Sequence, residues 1–538
     1  MTAAAIPSPA LVLPRQSARP WLIAAAVVIP TFMEVLDTTI ANVALRYIAG
    51  GLSAAATDSE WVITSYLAAN AIILPLSGYL AAHLGRRNYF LASIALFTLS
   101  SALCGMATSL SALVLFRVMQ GIAGGGLQPS SQAILLDAFP PEKQGAAQTL
   151  FGIAALIAPV VGPTLGGWIT DNYEWRWIFY INIPVGILAL IVCNALVVDP
   201  DYLKAERSRL RSQPSHFDTL GLVLLATTMI CWEVLLSKGQ EWDWFSDPFF
   251  RVQTLAILFG GSLIGLIFRE LKYHAPIINL RVLKDRNFRA CCIIIFCAFG
   301  VLYANTTLLP GMLQSLFGYD ATTSGLVLSP AGIFAIMTLV VVGALLGRQF
   351  DARWIIAAGL AVLGIGNFWL SRMNLDITPW QVVWPRVVII AGLSMIFAPL
   401  NVAAFLYMPP RLRGAAVGLL ALLRNEGGSV GTSVAQTVLE RRTQFHTLRL
   451  NELLDPFNAT VNEYLAQGKD FLTRQTGDSV LSTQTAAQLL AELREQQALL
   501  LSYFDVFFLC AAVAGVLVFL VLLMRRSVAE KGAHVAAE

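Results

Sequence analysis

The sequence predicts an all-α integral membrane protein made of two six-helix bundles with two further helices inserted between them. The 538 residues are 57% hydrophobic, and only 13% are charged, about half the charged fraction of an average soluble domain. The chain also contains fourteen apolar stretches of the length that crosses a bilayer as a helix, about 20 residues. Lipid is therefore the expected solvent. The composition excludes a secreted disulfide scaffold, a disordered chain and a typical cytosolic enzyme.

The fourteen stretches give the predicted spans in order. They lie near 21–45, 62–82, 89–108, 112–136, 146–170, 177–198, 218–237, 249–270, 289–314, 323–346, 353–371, 380–406, 413–438 and 502–524. The first is too long for the apolar core of a signal peptide and is followed by no small-residue cleavage site, so it is predicted to remain as an anchor. The seven cysteines lie in apolar stretches without metal-ligand spacing, and we interpret them as reduced and lipid-buried.

Lysine and arginine are unequally distributed over the two sides of these spans. The side that carries the N-terminus holds 22 of them, and the short loops of the other side hold five. Because short cytoplasmic loops are enriched in these residues, the N-terminal side is predicted to be cytoplasmic. An even number of spans places both termini there. The net charge of +3 gives no basic field that would indicate nucleic acid as a partner.

An internal repeat relates the fourth and twelfth spans. Arg117-Val118, Pro140-Pro141 and Gly145-Ala146-Ala147 recur as Arg386-Val387, Pro409-Pro410 and Gly414-Ala415-Ala416, always 269 residues later. This constant offset predicts two equivalent halves, and repeated halves with a site at their interface are typical of transporters. The predicted domains are an N-terminal tail (1–20), a first bundle (21–198), linkers with inserted helices 7 and 8 (199–288), a second bundle (289–524) and a C-terminal tail (525–538).

A long external segment, 441–500, belongs to the second bundle. It is too polar to span a membrane, although Thr483 to Leu501 has helical apolar spacing through Leu489, Leu490, Leu493 and Leu499. Two interpretations stay open: a solvated external hairpin, and a docking surface for an external partner.

Two acids in the middle of the first span are the leading candidates for chemistry. Glu34 and Asp37 are three residues apart and share a helix face. An ionisable group at the bilayer centre costs about 2.5–3.5 kcal/mol on insertion scales, so its presence invites a functional explanation. Two neighbouring acids in a low dielectric cannot both ionise cheaply, which suits a proton carrier. The alternative is an acid that is paired permanently with an arginine.

Arg117 in the fourth span is the natural partner of these acids. Its charge is permanent, so it can act on an acid by proximity without titrating. Gln120 and several glycines follow it, and glycines allow a neighbouring helix to approach closely. The alternative is an arginine that snorkels to the membrane interface.

Other polar and small residues form the remaining candidates. Gly162, Pro163, Gly166 and Gly167 in the fifth span predict tight helix packing, with a gating role and a purely structural role both open. In the second half, Arg386, Glu426, Asn401 and Gln436 are polar at membrane depth, and hydrogen bonding is the expected role of each. The candidates for substrate binding are Asn42, Gln120, Asn305, Arg424 and Asn425.

Four motifs together resemble a known family. The run Leu36–Leu45 (LDTTIANVAL) resembles the helix-1 signature of the 14-helix drug:proton antiporters of the major facilitator superfamily, of the EmrB/QacA kind. The runs Arg117–Gly121 (RVMQG), Gly162–Gly167 (GPTLGG) and Trp175–Asn182 (WRWIFYIN) are similar to further motifs of these proteins. The resemblance covers nearly the whole chain.

The resemblance implies a major facilitator fold with fourteen transmembrane helices and proton-driven export of amphipathic toxic compounds across a bacterial inner membrane. It implies a periplasmic adaptor of the EmrA kind and an outer-membrane channel of the TolC kind as partners, and no cofactor besides the proton gradient. Asp37 and Arg117 match the positions that are tied to proton coupling.

The loop after the second span departs from the family pattern. Gly78, Gly85, Arg86 and Arg87 fit its motif, but Ala82 stands where an acid is expected. This departure weakens the expectation of the usual conformational latch there.

Two other functions remain open on the sequence. One is an exporter on the same fold that is dedicated to one metabolite, such as a siderophore, an antibiotic or a fatty acid. The other is a receptor or enzyme on a transporter-like scaffold, against which the chain offers no nucleotide-binding loop, HExxH motif or nucleophile elbow.

Overall fold

The structure, a computed structural model, describes residues 20–139, 143–200, 203–204, 207–208, 218–273, 276–374, 378–409, 412–455 and 457–528. Most of the two predicted tails lies outside these residues, as do Pro140, Pro141 and Pro410 of the repeat. The described part of the chain is helical and contains no strand.

The long helices of the described residues follow the predicted spans closely, with one further long helix outside the spans. In chain order they are α1 Pro20–Gly51, α2 Trp61–Leu84, α3 Arg86–Gly105, α4 in two segments Leu110–Gly124 and Leu127–Ala138, α5 Gln144–Asn172, α6 in two segments Trp177–Tyr180 and Asn182–Leu196, α7 Thr219–Lys238, α8 Arg251–Lys272, α9 Arg286–Phe317, α10 in two segments Ala321–Leu328 and Pro330–Gly347, α11 Ala352–Leu370, α12 Pro379–Phe405, α13 Arg413–Leu453, α14 Ala459–Thr476 and α15 Ser479–Val521.

Thirteen helices of the described residues are long and apolar enough to cross a membrane. The predicted span that fails this test is α13, because Arg424, Asn425 and Glu426 interrupt its apolar half. The helix nevertheless packs inside the bundle against α2, α9 and α15. Its polar centre therefore faces other helices rather than lipid. Polar groups of membrane helices normally face the interior of the bundle in this way.

The predicted ends of the last two spans are wrong. We expected helices over 413–438 and 502–524 with a loop between them, but α13 continues to Leu453 and α15 begins at Ser479. No glycine or proline interrupts either extension, so the helices run on into the external segment. The predicted helical character of Thr483 to Leu501 is confirmed, since these residues belong to α15.

The two halves meet along two helix pairs that the repeat makes equivalent. Gly145 of α5 lies against Leu346 of α10, and Gly414 of α13 lies against Gly78 of α2. A Cβ atom on Gly78 would be 3.4 Å from the backbone of Gly414, so the small residues allow near-contact between backbones.

The inserted helix α7 packs against both halves at the other end of this α2–α13 contact. Thr64 of α2 donates a hydrogen bond of 2.7 Å to Ser237, and Ser433 of α13 donates one of 2.8 Å to the Leu236 carbonyl. Helix α8 covers the outside of α7 and is mostly exposed. Helix α7 thus bridges the helices that face each other across the interface.

Candidate functional site: a buried ion pair and a polar layer between the halves

An ion pair between Asp37 and Arg117 is buried in the first half. Arg117 Nη1 lies 2.5 Å from Asp37 Oδ2, and the arginine and aspartate side chains are 0% and 1% exposed respectively. Small residues allow the helices to come this close. A Cβ atom on Gly121 of α4 would lie 2.4 Å from the Tyr66 carbonyl of α2, and one on Gly162 of α5 would lie 2.1 Å from Thr39 Oγ1 of α1.

The second carboxylate oxygen of Asp37 accepts two further hydrogen bonds. Gln120 Nε2 donates at 3.0 Å and Asn182 Nδ2 at 2.7 Å, both to Oδ1. A buried ion pair is stable only when its remaining hydrogen-bonding capacity is met. These donors meet it for Asp37, so both oxygens of this buried carboxyl group have hydrogen-bond partners.

Arg117 is held by groups of α2 and α4 as well as by the acid. Its Nε donates to the Val62 carbonyl at 3.0 Å and its Nη1 to Gln120 Oε1 at 2.8 Å. The guanidinium also lies 4.3 Å from the centre of the Tyr66 ring, within cation–π distance. Snorkelling to the interface does not describe this side chain, because it is fully buried.

Glu34 belongs to a different set of contacts, so the two acids do not share one site. The Tyr66 hydroxyl donates to Glu34 Oε1 at 3.2 Å, Asn70 Nδ2 donates at 3.3 Å, and Gln128 Nε2 donates to Oε2. Each acid has its own donors, because a spacing of three residues along α1 directs the two side chains towards different neighbouring helices and residues. Tyr66 is the link: its hydroxyl binds Glu34 while its ring lies under Arg117.

The Glu34 cluster reaches across to the second half. Arg424 donates to Gln128 Oε1, and Asn425 Nδ2 donates to Asn70 Oδ1 at 3.2 Å. The Arg424 guanidinium lies 5.8 Å from the Phe151 ring and 5.7 Å from the Phe299 ring. We call Glu34, Asn70, Gln128, Arg424 and Asn425 the interhalf layer.

A further interhalf contact joins two residues that the repeat makes equivalent. Gln132 Nε2 donates to Asn401 Oδ1 at 2.9 Å, and the two positions are 269 residues apart. Equivalent residues can touch only near the axis that relates the halves. This hydrogen bond therefore marks the axis, and it lies between α4 and α12.

The remaining predicted site residues lie elsewhere. Asn42 is exposed, and Asn305 is buried in the second half, where its Nδ2 donates to Asn367 Oδ1 at 3.0 Å. Neither belongs to the interhalf layer. Gly166 packs against Ile40 of α1, while Pro163 and Gly167 are buried within α5.

Gly85, Arg86 and Arg87 of the loop motif after α2 make contacts within the first half, whereas Gly78 lies against Gly414 of the second. Gly85 has φ +90°, a conformation that only glycine adopts readily. Arg86 pairs with Asp137 at the end of α4, and Arg87 Nη2 donates to Asn194 Oδ1 of α6 at 2.6 Å. These basic residues tie the start of α3 to the ends of α4 and α6.

Several buried polar residues escaped the sequence analysis. Tyr66, Asn70 and Gln128 are ordinary neutral residues, and only their neighbours make them important. Glu233 had a clear signal, as an acid well inside the seventh predicted span. It is buried against Glu426 of α13, and it accepts a hydrogen bond of 3.1 Å from Ser429. Among the described residues no His, Cys, Asp and Glu cluster could hold a metal ion.

Comparison with known proteins agrees with this architecture. The profile of the Major Facilitator Superfamily matches residues 27–432. The chain is 36% identical to the multidrug export protein EmrB of Haemophilus influenzae, over 88% of this chain and 90% of that protein. It is 38% identical to the fatty acid resistance protein FarB of Neisseria gonorrhoeae, over 81% of this chain and 84% of that one.

A solved structure shares the fold at low sequence identity. The proton:xylose symporter XylE superposes with a TM-score of 0.57 at 13% identity, covering 93% of this chain and 95% of that one. The expected all-α architecture and family resemblance are both confirmed. The chain is a multi-pass membrane protein that belongs to the Major Facilitator Superfamily of transporters, in the group that includes the EmrB multidrug export proteins.

Proposed function

We propose that this protein is a proton-coupled antiporter that exports hydrophobic and amphipathic toxic compounds. The observation that carries the proposal is the buried Asp37–Arg117 pair. It places a titratable group beside a permanent cation inside the first half. Similarity to multidrug export proteins supports the kind of substrate, and no cofactor besides the proton gradient is needed.

Protonation of Asp37 is the proposed coupling step. A neutral carboxyl no longer attracts Arg117, so the free energy that holds α1 against α4 falls. Asp37 is 2% exposed, and a proton can therefore reach it only after these helices move. The protonated and ionised forms thus favour different helix arrangements, and a proton gradient can shift the balance between them.

The interhalf layer transmits this local change. Tyr66 contacts Arg117 through its ring and Glu34 through its hydroxyl. Glu34 in turn contacts Gln128 and Asn70, which bind Arg424 and Asn425 of the second half. A movement of α2 at Tyr66 therefore disturbs the hydrogen bonds between the halves. Alternating access requires such a link between the coupling site and the interface.

Uphill transport in proteoliposomes tests this proposal. Wild-type protein should concentrate a fluorescent drug against its gradient when a pH difference is imposed, and the accumulated drug should leak when ionophores collapse the pH and voltage differences. Asp37→Asn should abolish accumulation. Asp320→Asn is the matched control, because Asp320 caps the first segment of α10 and asparagine caps helices equally well. Accumulation that survives the ionophores would refute proton coupling.

The second candidate function is an exporter dedicated to one metabolite, which the similarity to a fatty acid resistance protein favours. A resistance panel on cells with and without the gene separates the two functions. Protection against many unrelated compounds supports multidrug export, and protection against one supports the dedicated exporter.

We further propose that the protein lies in a bacterial inner membrane with both termini in the cytoplasm. Its external segment would then dock an adaptor of the EmrA kind, which leads to a channel of the TolC kind. The segment displays apolar side chains outside the spans. Phe457 is 93% exposed, Phe471 62% and Val480 70%, which is typical of an interaction surface rather than of a solvated hairpin.

Separate transport and resistance assays test the docking surface. Phe471→Ser combined with Val480→Ser should leave proteoliposome transport unchanged but reduce resistance in cells. Gln467→Ser, on the same helix as Phe471 and also exposed, should change neither. Equal losses in both assays would indicate a folding role instead.

A further inference from the structure

The second half contains a copy of the Asp37–Arg117 site that lacks its acid. Adding the repeat offset of 269 residues to Arg117 gives Arg386 in α12, and adding it to Asp37 gives Thr306 in α9. The structure brings this pair together as well, with Arg386 Nη2 3.3 Å from Thr306 Oγ1. A hydroxyl therefore stands where the first half has a carboxylate.

The Arg386 guanidinium is buried without a counter-ion. The residue is 2% exposed, and its Nε and Nη1 atoms have no hydrogen-bond partner. No carboxylate in the described part of the chain forms an ion pair with it. Removing a guanidinium from water is unfavourable unless an anion and hydrogen bonds replace the water. The fold keeps a positive charge with two free donors, which a bound anion would complete.

The surroundings of Arg386 indicate what kind of anion would fit. The residues that flank Arg386 along α12 and Thr306 along α9 are buried and aliphatic, namely Val383, Val387, Ile390 and Leu302. Aliphatic walls favour an alkyl chain over a small, multiply charged solute. A guanidinium binds a planar carboxylate through charge-assisted hydrogen bonds. The Thr306 hydroxyl donates to the Leu302 carbonyl at 2.8 Å and accepts from Arg386, so it holds the guanidinium in place.

We propose that Arg386, positioned by Thr306, binds the carboxylate of an amphipathic monocarboxylate, with its alkyl chain against these aliphatic residues. The carboxylate of the ligand would then pair with Arg386 in the second half, as the carboxylate of Asp37 pairs with Arg117 in the first. The inference rests on the proposed function in taking the ligand to be an exported amphiphile. Binding itself does not require proton coupling.

Binding of decanoate to the purified full-length protein tests the proposal, with decanol and decylamine as probes of equal chain length. Thr306→Asp places a carboxylate beside Arg386 and fills the site from within. It should weaken decanoate binding about tenfold or more, the loss expected for a charge-assisted hydrogen bond. Decanol binding should be unchanged. Thr306→Asn is the matched control without the charge, and it should keep decanoate affinity within about threefold of wild type.

Two further measurements keep the test decisive. Thr306→Asp should melt at a higher temperature than wild type, because Arg386 gains a partner. Arg386→Gln should also lose decanoate binding, because it removes the guanidinium itself. The proposal is overturned if both variants bind decanoate as wild type does, or if wild type binds decanol as tightly as decanoate. Drug accumulation that survives the ionophores would refute proton coupling and leave the decanoate result standing.

Discussion

The two halves of this transporter contain equivalent buried arginines, Arg117 and Arg386, in two different electrostatic environments. In the first half, Arg117 binds Asp37, and Gln120 completes the site. In the second half, Arg386 meets the hydroxyl of Thr306, and the position equivalent to Gln120 is Ile389. The repeat has kept the position of the charge and has changed its partners. A buried arginine is therefore not by itself the mark of a coupling site, and the acid beside it is what distinguishes the two halves.

The largest expected effect is on thermal stability when each arginine is replaced by methionine. Arg117→Met leaves Asp37 buried without a counter-ion and should cost about 3–5 kcal/mol. Arg386→Met removes a charge that has no counter-ion, so it should leave the melting temperature unchanged or raise it. Melting curves of both purified variants give the comparison. Equal destabilisation would contradict the difference between the two settings, because Arg386 would then be as strongly paired as Arg117.

A smaller loss of thermal stability is expected when Gln120, beside Arg117, is replaced by the apolar residue that stands at the equivalent position beside Arg386. Gln120→Ile copies Ile389 and removes one donor to Asp37 and one acceptor from Arg117. The loss of a hydrogen bond to a charged group should cost about 1.5–3 kcal/mol. Melting temperature and uphill transport should both fall, and Ile389→Val in the second half is the control. An undiminished stability would show that Gln120 is not needed to hold the pair.

The contact on the axis between the halves should have a still smaller effect. Gln132→Leu and Asn401→Leu both break the neutral hydrogen bond between these side chains, which is worth about 0.5–1.5 kcal/mol. Each also removes one bond of its own, from Gln132 to Gln148 or from Asn401 to the Phe397 carbonyl. Because they break the same bond, the double variant should lose less stability than the sum of the single losses. Additive losses would indicate that the two side chains act independently.

The smallest effect concerns the loop ends, where the halves also differ. In the first half Arg86 pairs with Asp137 of another helix and Arg87 binds the neutral amide of Asn194, whereas in the second half Arg353 pairs with Asp351 two residues before it. Burial opposes ionisation of Asp351, but hydrogen bonds from the Arg353 side chain and from the backbone N–H groups of Arg353 and Ser527 outweigh it. They lower the pKa of this carboxyl below its ordinary value of 3.8.

Because the folded-state pKa of Asp351 is lowered, its stabilising contribution is complete above 3.8 and is lost as the pH falls through the folded value. The melting temperatures of wild type and Asp351→Asn should therefore differ at neutral pH and converge in acid. A difference that grows in acid would contradict the sign of the shift.

Much of the fold could be predicted because the membrane imposes it. Apolar length located the spans, and the 269-residue offset alone was enough to relate the halves. The outer part of α13 was missed, and the outer part of α15 was predicted to be helical but not to continue the last span, because the apolar-length rule detects only residues that face lipid or core. A helix that continues into water carries no such signal, although the lack of glycine and proline in these stretches was visible.

The candidate site could be predicted only in part. Asp37 and Arg117 stand out because charge is rare at membrane depth. Glu34 was assigned to the same cluster, since sequence spacing gives a helix face but not the neighbours on it. Asn70 and Gln128 are neutral residues that matter only through three-dimensional contact. Thr306 could have been found, because adding the repeat offset to Asp37 leads directly to it.

The most direct test of the central claim is substrate-induced proton release from the purified protein in weakly buffered detergent. In the proposed cycle, drug binding shifts the protein from the arrangement in which Asp37 is protonated to the one in which it pairs with Arg117. Addition of an exported drug to wild-type protein should therefore acidify the solution. Asp37→Asn should give no acidification, while Asp320→Asn should match wild type. Proton release by Asp37→Asn equal to that of wild type would contradict the account, because another group would then carry the proton.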